Sequence, residues 1–149
     1  MKKTLIVGLL GLTYALSGQA ATAVSGTFQV GLTLTSSCQI TTPANLAMTY
    51  TSFQAGISTG YSAFTVNCTN SLPYALSFNN AAGSVVGINY TLGFADNLNA
   101  PITGSGLVGT GTTAQTYKVQ ADMAAGQAGT CNLGSCTGTG ANHTVTVTY

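Results

Sequence analysis

From Val24 to Leu34 the chain alternates without a break. Val24, Phe28, Val30, Leu32 and Leu34 share one row with Gly26, and Ser25, Thr27, Gln29, Gly31, Thr33 and Thr35 share the other. A two-residue period of this kind describes an extended strand with one apolar face and one face of hydroxyls and amides. Continued through Cys38 to Ile40, the run is roughly twice the usual strand of about six residues. A strand this long can divide its work. Leu34 through Cys38 is expected in the first strand of its own domain, and the portion before it is expected to be donated elsewhere.

Further along, Leu46, Met48 and Tyr50 alternate after Pro43, which predicts a short second strand. Gln54 to Gly60 reads as a polar connection, followed by a strand carrying Phe64, Val66 and an inward Cys68. Asn70-Ser71-Leu72-Pro73 is a turn signal. Tyr74, Leu76 and Phe78 predict a strand that stops at Asn79 to Gly83, and Ile88, Tyr90, Leu92 and Phe94 one that ends at Asp96-Asn97. Residues 99–113 read as an exposed loop. Tyr117 to Met123 and His143 to Tyr149 supply the last two strands, with a Gly-rich loop, Gly126 to Gly140, between them. No window sustains a 3.6-residue period. The expectation is an all-β sandwich or barrel of six to seven strands.

Residues 1–20 read as a secretory signal: Lys2 and Lys3, an apolar run from Thr4 to Leu16, then small residues at Gly18 and Ala20 before a cleavage site. Cleavage after Ala23 is a second choice. The apolar run is short for a bilayer span, and no later stretch approaches 18 apolar residues. Residues 21–149 then amount to one domain. Their only charged side chains are Asp96, Lys118 and Asp122. That leaves no basic patch for nucleic acid, and a surface with little charge repulsion suits association with copies of itself.

Four cysteines fit an oxidising compartment. Cys38 and Cys68 lie in strand-like runs, whereas Cys131 and Cys136 share one Gly-rich loop. The expected bonds are therefore Cys38–Cys68 and Cys131–Cys136. Zinc would require paired short spacings, and only one pair here is close, so no metal is expected.

Other chemical signals are weak. Gly104-Ser105-Gly106-Leu107-Val108-Gly109 has the form of a dinucleotide fingerprint, with Asp122 near the place of a ribose-binding acid. The motif requires a strand before it and a helix after it, and Thr110-Gly111-Thr112-Thr113 is a poor helix former. His143, Asp96 and Asp122 are the few groups for acid–base work, and their positions suit strand ends and loops. Neither an enzyme nor a cofactor is expected. Asn67, Asn89 and Asn142 open sequons of glycosylation form but sit in strand-like runs. An outer-membrane β-barrel is the structural rival. It would fit the leader and Tyr149, but needs spanning strands of about 9–11 residues and aromatic girdles.

Three segments together carry a family resemblance: VSGTFQVGLTLTSSCQI (Val24 to Ile40), FTVNCTNSLPYALSF (Phe64 to Phe78) and HTVTVTY (His143 to Tyr149). In order and spacing the chain resembles the archaic chaperone–usher pilins that carry the spore-coat-protein-U domain. It departs at Met48-Thr49, where that family tends to have Phe-Gly, and at the cysteine loop before Asn142-His143, where it tends to have a compact Gly-x-Tyr-x-Asp.

The resemblance implies an incomplete immunoglobulin-like β-sandwich, completed by a donor strand from a neighbouring subunit. It implies a periplasmic chaperone, an outer-membrane usher and other copies of itself or related pilins as partners. The product would be an adhesive, biofilm-supporting fibre at the bacterial surface. The expected organisation is a signal peptide (1–20), a donor extension (21–32) and a pilin domain (33–149). Val24, Phe28, Val30 and Leu32 are the expected donor residues. The acceptor groove is expected between the first strand and the closing strand, Thr144 to Tyr149. A minor tip or adaptor adhesin, and a secreted coat or lectin-like module, are the alternatives.

Overall fold

A computed structural model describes residues 22–149; the expected signal, residues 1–20, and Ala21 lie outside the described residues. The described residues contain no helix. All strands fall in the compact unit Leu34–Tyr149. They are β1 (Cys38–Ile40), β2 (Ser58–Cys68), β3 (Pro73–Phe78), β4 (Ala82–Val85), β5 (Ile88–Asp96), β6 (Pro101–Ile102), β7 (Leu107–Val108), β8 (Gln115–Met123) and β9 (Val145–Thr148). Every ladder is antiparallel. One sheet runs β1-β2-β8-β5-β4, with β6 also on β5; the other runs β7-β3-β9. Both are open sheets with edges, sandwich-like in arrangement.

The two sheets share one core, because the inward rows of their strands are apolar at alternate positions. Phe64 and Val66 of β2, Phe94 of β5 and Tyr117 and Val119 of β8 meet Tyr74 and Leu76 of β3. Phe78 stacks on Phe94 across the sheets, with ring centroids 4.1 Å apart. The hydroxyl of Tyr117 donates to that of Tyr74 at 2.8 Å, and Tyr74 donates onward to Gln115 Oε1 at 3.0 Å. Burial, reinforced by Tyr117, holds the Tyr74 phenol above its ordinary pKa. A neutral phenol is favoured in the folded state, so its contribution is whole below the unfolded value of about 10 and declines as pH rises past it. Denaturation at pH 8 and pH 11 should show stability falling with pH, and falling less in Tyr74→Phe.

Both expected disulfides are present. Cys38–Cys68 joins β1 to β2 across a sequence separation of 30, and Cys131–Cys136 closes a separation of 5. All four cysteines are thereby used in bonds. Loop-closure entropy assigns about 3–4 kcal/mol to the first and about 2 kcal/mol to the second. The pair Cys38→Ala/Cys68→Ala should therefore lower the denaturation midpoint more than Cys131→Ala/Cys136→Ala. Equal losses would contradict the loop-length argument.

Several boundaries differ from expectation. The first ladder begins at Cys38, not Leu34, because Ser37 and Thr69 make the last backbone bond before it (3.0 Å) and residues 22–37 carry no strand assignment. The Gln54–Gly60 connection gives way to β2 at Ser58, making an 11-residue strand. Its inward row opens with Ser58, Gly60 and Ser62, too small and polar to register as alternation. Asn79–Gly83 does not simply end a strand, since Ala82 begins β4. Residues 99–113 contain β6 and β7. Gly109 in that stretch lies so close to the Thr69 carbonyl and Cys68 that a Cβ would collide with both. Nine strands result among the described residues, where six to seven were expected.

The largest correction is at Leu46–Tyr50, which forms no strand. Alternation survives as burial: Leu46, Met48 and Tyr50 are half-buried while Ala47 and Thr49 are exposed. Pro43 explains the lost ladder. It has no N–H to contribute to a ladder, and the last backbone bond to β2 is from Thr41 N–H to the Thr65 carbonyl, 3.0 Å. The chain then crosses the inward face of β2. Ser62 Oγ donates to the Ala44 carbonyl at 2.7 Å and Ser58 Oγ to the Thr49 carbonyl at 2.9 Å. Leu46 and Met48 occupy the space a side chain at Gly60 would need.

Candidate functional site

The closing strand β9 pairs through Ala75↔Thr148 to Phe78↔Val145 with β3 alone. Its opposite edge has no strand partner among the described residues. An edge strand presents a row of unpaired N–H and C=O groups. Val145 and Val147 turn toward the core, yet both are only half-buried. An apolar row is thus incompletely covered at the same place where a ladder stops.

Residues 42–50 show the complementary condition. Their apolar row packs inward, but none of them makes a backbone–backbone hydrogen bond among the described residues. Buried or half-buried backbone seeks partners, and here only side chains answer: Ser62 and Ser58 from β2. Tyr50 anchors the far end, its hydroxyl donating to the Ala124 carbonyl at 2.7 Å and accepting from Gln127 N–H at 3.0 Å.

The third component is the stretch before β1. Val24 is 96 % exposed, Phe28 86 %, Val30 84 %, Leu32 88 % and Leu34 73 %. Ser25, Thr27 and Gln29 are exposed as well, so burial within one chain does not separate the two rows. Five large apolar side chains in water at alternate positions of one segment are unusual, since a contiguous apolar surface of that kind marks an interaction site.

The acid–base candidates do not assemble. His143 Nδ1 donates to the Asn80 carbonyl at 2.9 Å, which leaves Nε2 to accept from the Tyr90 hydroxyl at 2.8 Å. Both ring nitrogens are thus committed to holding the start of β9 against β5. Asp96 Oδ1 accepts from the N–H groups of Leu98 and Ala100, both at 2.8 Å, and so shapes a turn. Asp122 accepts from Thr59 Oγ1 at 2.6 Å and Gln120 Nε2 at 2.7 Å. Neither aspartate is a partner of His143. Residues 104–109 lead through β7 into a turn and not into a helix.

The sequence pattern shows the apolar row of residues 24–34 and the closing strand, but it predicts a strand at Leu46–Tyr50, where the structure has none. A signal was available in Pro43, which separates β1 from the alternation after it. Compared with known proteins, the chain matches no family model, no curated protein and no solved structure.

Proposed function

We propose that this chain is a structural subunit of a surface fibre, polymerised by donor-strand exchange. The observation that carries the reading is a closing strand, β9, whose outer edge has no strand partner among the described residues, in a chain that also bears a strand-length apolar row exposed along its length. In immunoglobulin-like sandwiches the sheets are ordered A-B-E-D and C-F-G. The order β1-β2-β8-β5 matches A-B-E-D, and β3-β9 matches C-F, with no strand in the place of G among the described residues. A strand laid beside β9, between it and residues 42–50, would supply ladder bonds to both and cover Val145 and Val147.

Val24, Phe28, Val30 and Leu32 of a neighbouring copy are suited to that place by their spacing. This is β-augmentation with side-chain pockets giving register. Before assembly, the same free edge is an aggregation hazard. A periplasmic chaperone covering it and an outer-membrane usher exchanging it for the next subunit's extension complete the reading, with the disulfides formed on export. The fibre would support adhesion and biofilm growth.

The test is electron microscopy of cells with and without this chain, and with a co-encoded chaperone deleted. Fibres should require both. Secretion that persists without any chaperone would favour a coat or lectin-like module instead.

A further inference from the structure

We propose that successive copies make a second contact besides the donated strand, in which an apolar pole of the acceptor docks on the opposite pole of the subunit that donates to it. The inference rests on the donor-strand reading above and adds to it a specific surface.

The strands define two poles. At the near pole lie the Cys38–Cys68 junction, the turn after β5 and β7; Cys68 faces Cys38 in the ladder and Val108 faces Pro73. At the far pole lie residues 51–57, the β4–β5 turn at Val86-Gly87 and the loop after β8; Met123 faces Ser58 and Val85 faces Ile88.

The far pole exposes Phe53 (73 %), Ile57 (67 %), Leu133 (72 %) and, in part, Val86. Two of these are held in left-handed backbone, Phe53 at φ 61° and Val86 at φ 43°. For an aromatic and a β-branched residue this conformation is costly and persists only when surroundings enforce it. The enforcement is visible. Phe53 N–H donates to the Gln127 carbonyl at 2.8 Å and Thr130 N–H to the Val86 carbonyl at 2.7 Å. The side chain of Gln127 clamps Asn89 on both its N–H (2.7 Å) and its carbonyl (2.9 Å). The Cys131–Cys136 bond then closes the loop that carries Leu133. Residues 127–136 thus brace three apolar side chains outward, on a pole without a formal charge in residues 51–57 or 124–142.

Chain direction selects the partner. β9 runs from the far pole toward the near one, since Val145 pairs with Phe78 and Thr148 with Ala75. Every ladder among the described residues is antiparallel, and a donated strand antiparallel to β9 leaves the acceptor at its far pole, Leu32 last. Residues 33–37 then reach at most about 17 Å before Cys38, which sits at the donating subunit's own near pole. A tether that short brings the acceptor's far pole onto the donor's near pole. Apolar side chains wait there too: Leu98 is 84 % exposed, Tyr149 60 % and Val108 50 %.

The test places the photo-reactive p-benzoylphenylalanine at position 53 and irradiates assembled fibres. The expected product is a covalent dimer whose second chain is joined within residues 97–109 or at Tyr149. Fibres that form but give no dimers, or dimers joined at the second chain's far pole, would overturn the contact while leaving strand donation standing. No fibres from the unaltered chain would overturn donation itself. A companion variant, Phe53→Ser with Leu133→Ser, should assemble in normal yield into fibres whose persistence length is at least halved. Unchanged stiffness would contradict the proposal.

Discussion

Phe28→Asp or Val30→Asp should abolish fibres while the subunit still accumulates in the periplasm, and Gln29→Asp should leave fibres largely intact. Burying the donor row in a neighbour contributes about 1.5–3 kcal/mol per large apolar side chain as an upper estimate. An unpaired carboxylate in that row reverses the gain, because a charge in a dry pocket carries a desolvation cost of several kcal/mol or more. Gln29 belongs to the other row and would face water. All three positions are exposed in the single chain, so none of the substitutions should harm folding of the domain. If Gln29→Asp and Val30→Asp behave alike in counts of fibres, alternation does not report a buried face. If Phe28→Asp removes the subunit itself, the segment serves its own core and is not donated.

The second large effect concerns the subunit alone. With residues 21–32 deleted, so that it cannot complement itself, it should self-associate or aggregate. β9 keeps an open edge, and Val145 and Val147 stay partly wet. Appending a copy of residues 22–34 after Tyr149 through a short Gly/Ser linker should restore a monomer. β9 ends toward the near pole, where an antiparallel partner would begin, so a hairpin connection can close there. Size-exclusion chromatography with light scattering reads the outcome. A well-behaved monomer of the deleted chain at high concentration would count heavily against an incomplete sandwich.

How much of this was legible depends on what each strand faces. β5 could be read directly, as Ile88 and Phe94 are buried core residues set at even spacing. The disulfide Cys38–Cys68 followed from two cysteines in neighbouring strand-like runs. The beginning of β2 was hidden because its inward row is Ser58, Gly60 and Ser62, chosen by the close passage of Leu46 and Met48. β4, β6 and β7 are short and weakly apolar; β4 and β6 pair locally with β5, whereas β7 depends on β3, some way off in sequence.

Residues 42–50 show a different limit. Alternation reports which face is buried, whereas a ladder needs a partner backbone, and residues 42–50 have none among the described residues. The far pole was invisible for a third reason: Phe53 and Val86 point outward through left-handed backbone, which no hydrophobic pattern reveals.

The central claim is that β9 and residues 42–50 are completed by a strand from another copy, and backbone hydrogen exchange tests it most directly. The acceptor is the chain carrying Phe28→Asp and Val30→Asp, so that its own extension is disabled, and the ligand is a synthetic peptide of residues 22–34. Without peptide, the outward amides of Val145–Thr148 and those of residues 44–50 should exchange rapidly. With peptide they should slow together by at least tenfold, while the same peptide bearing Phe28→Asp does nothing. Protection already present without peptide, or unchanged by it, would contradict the account.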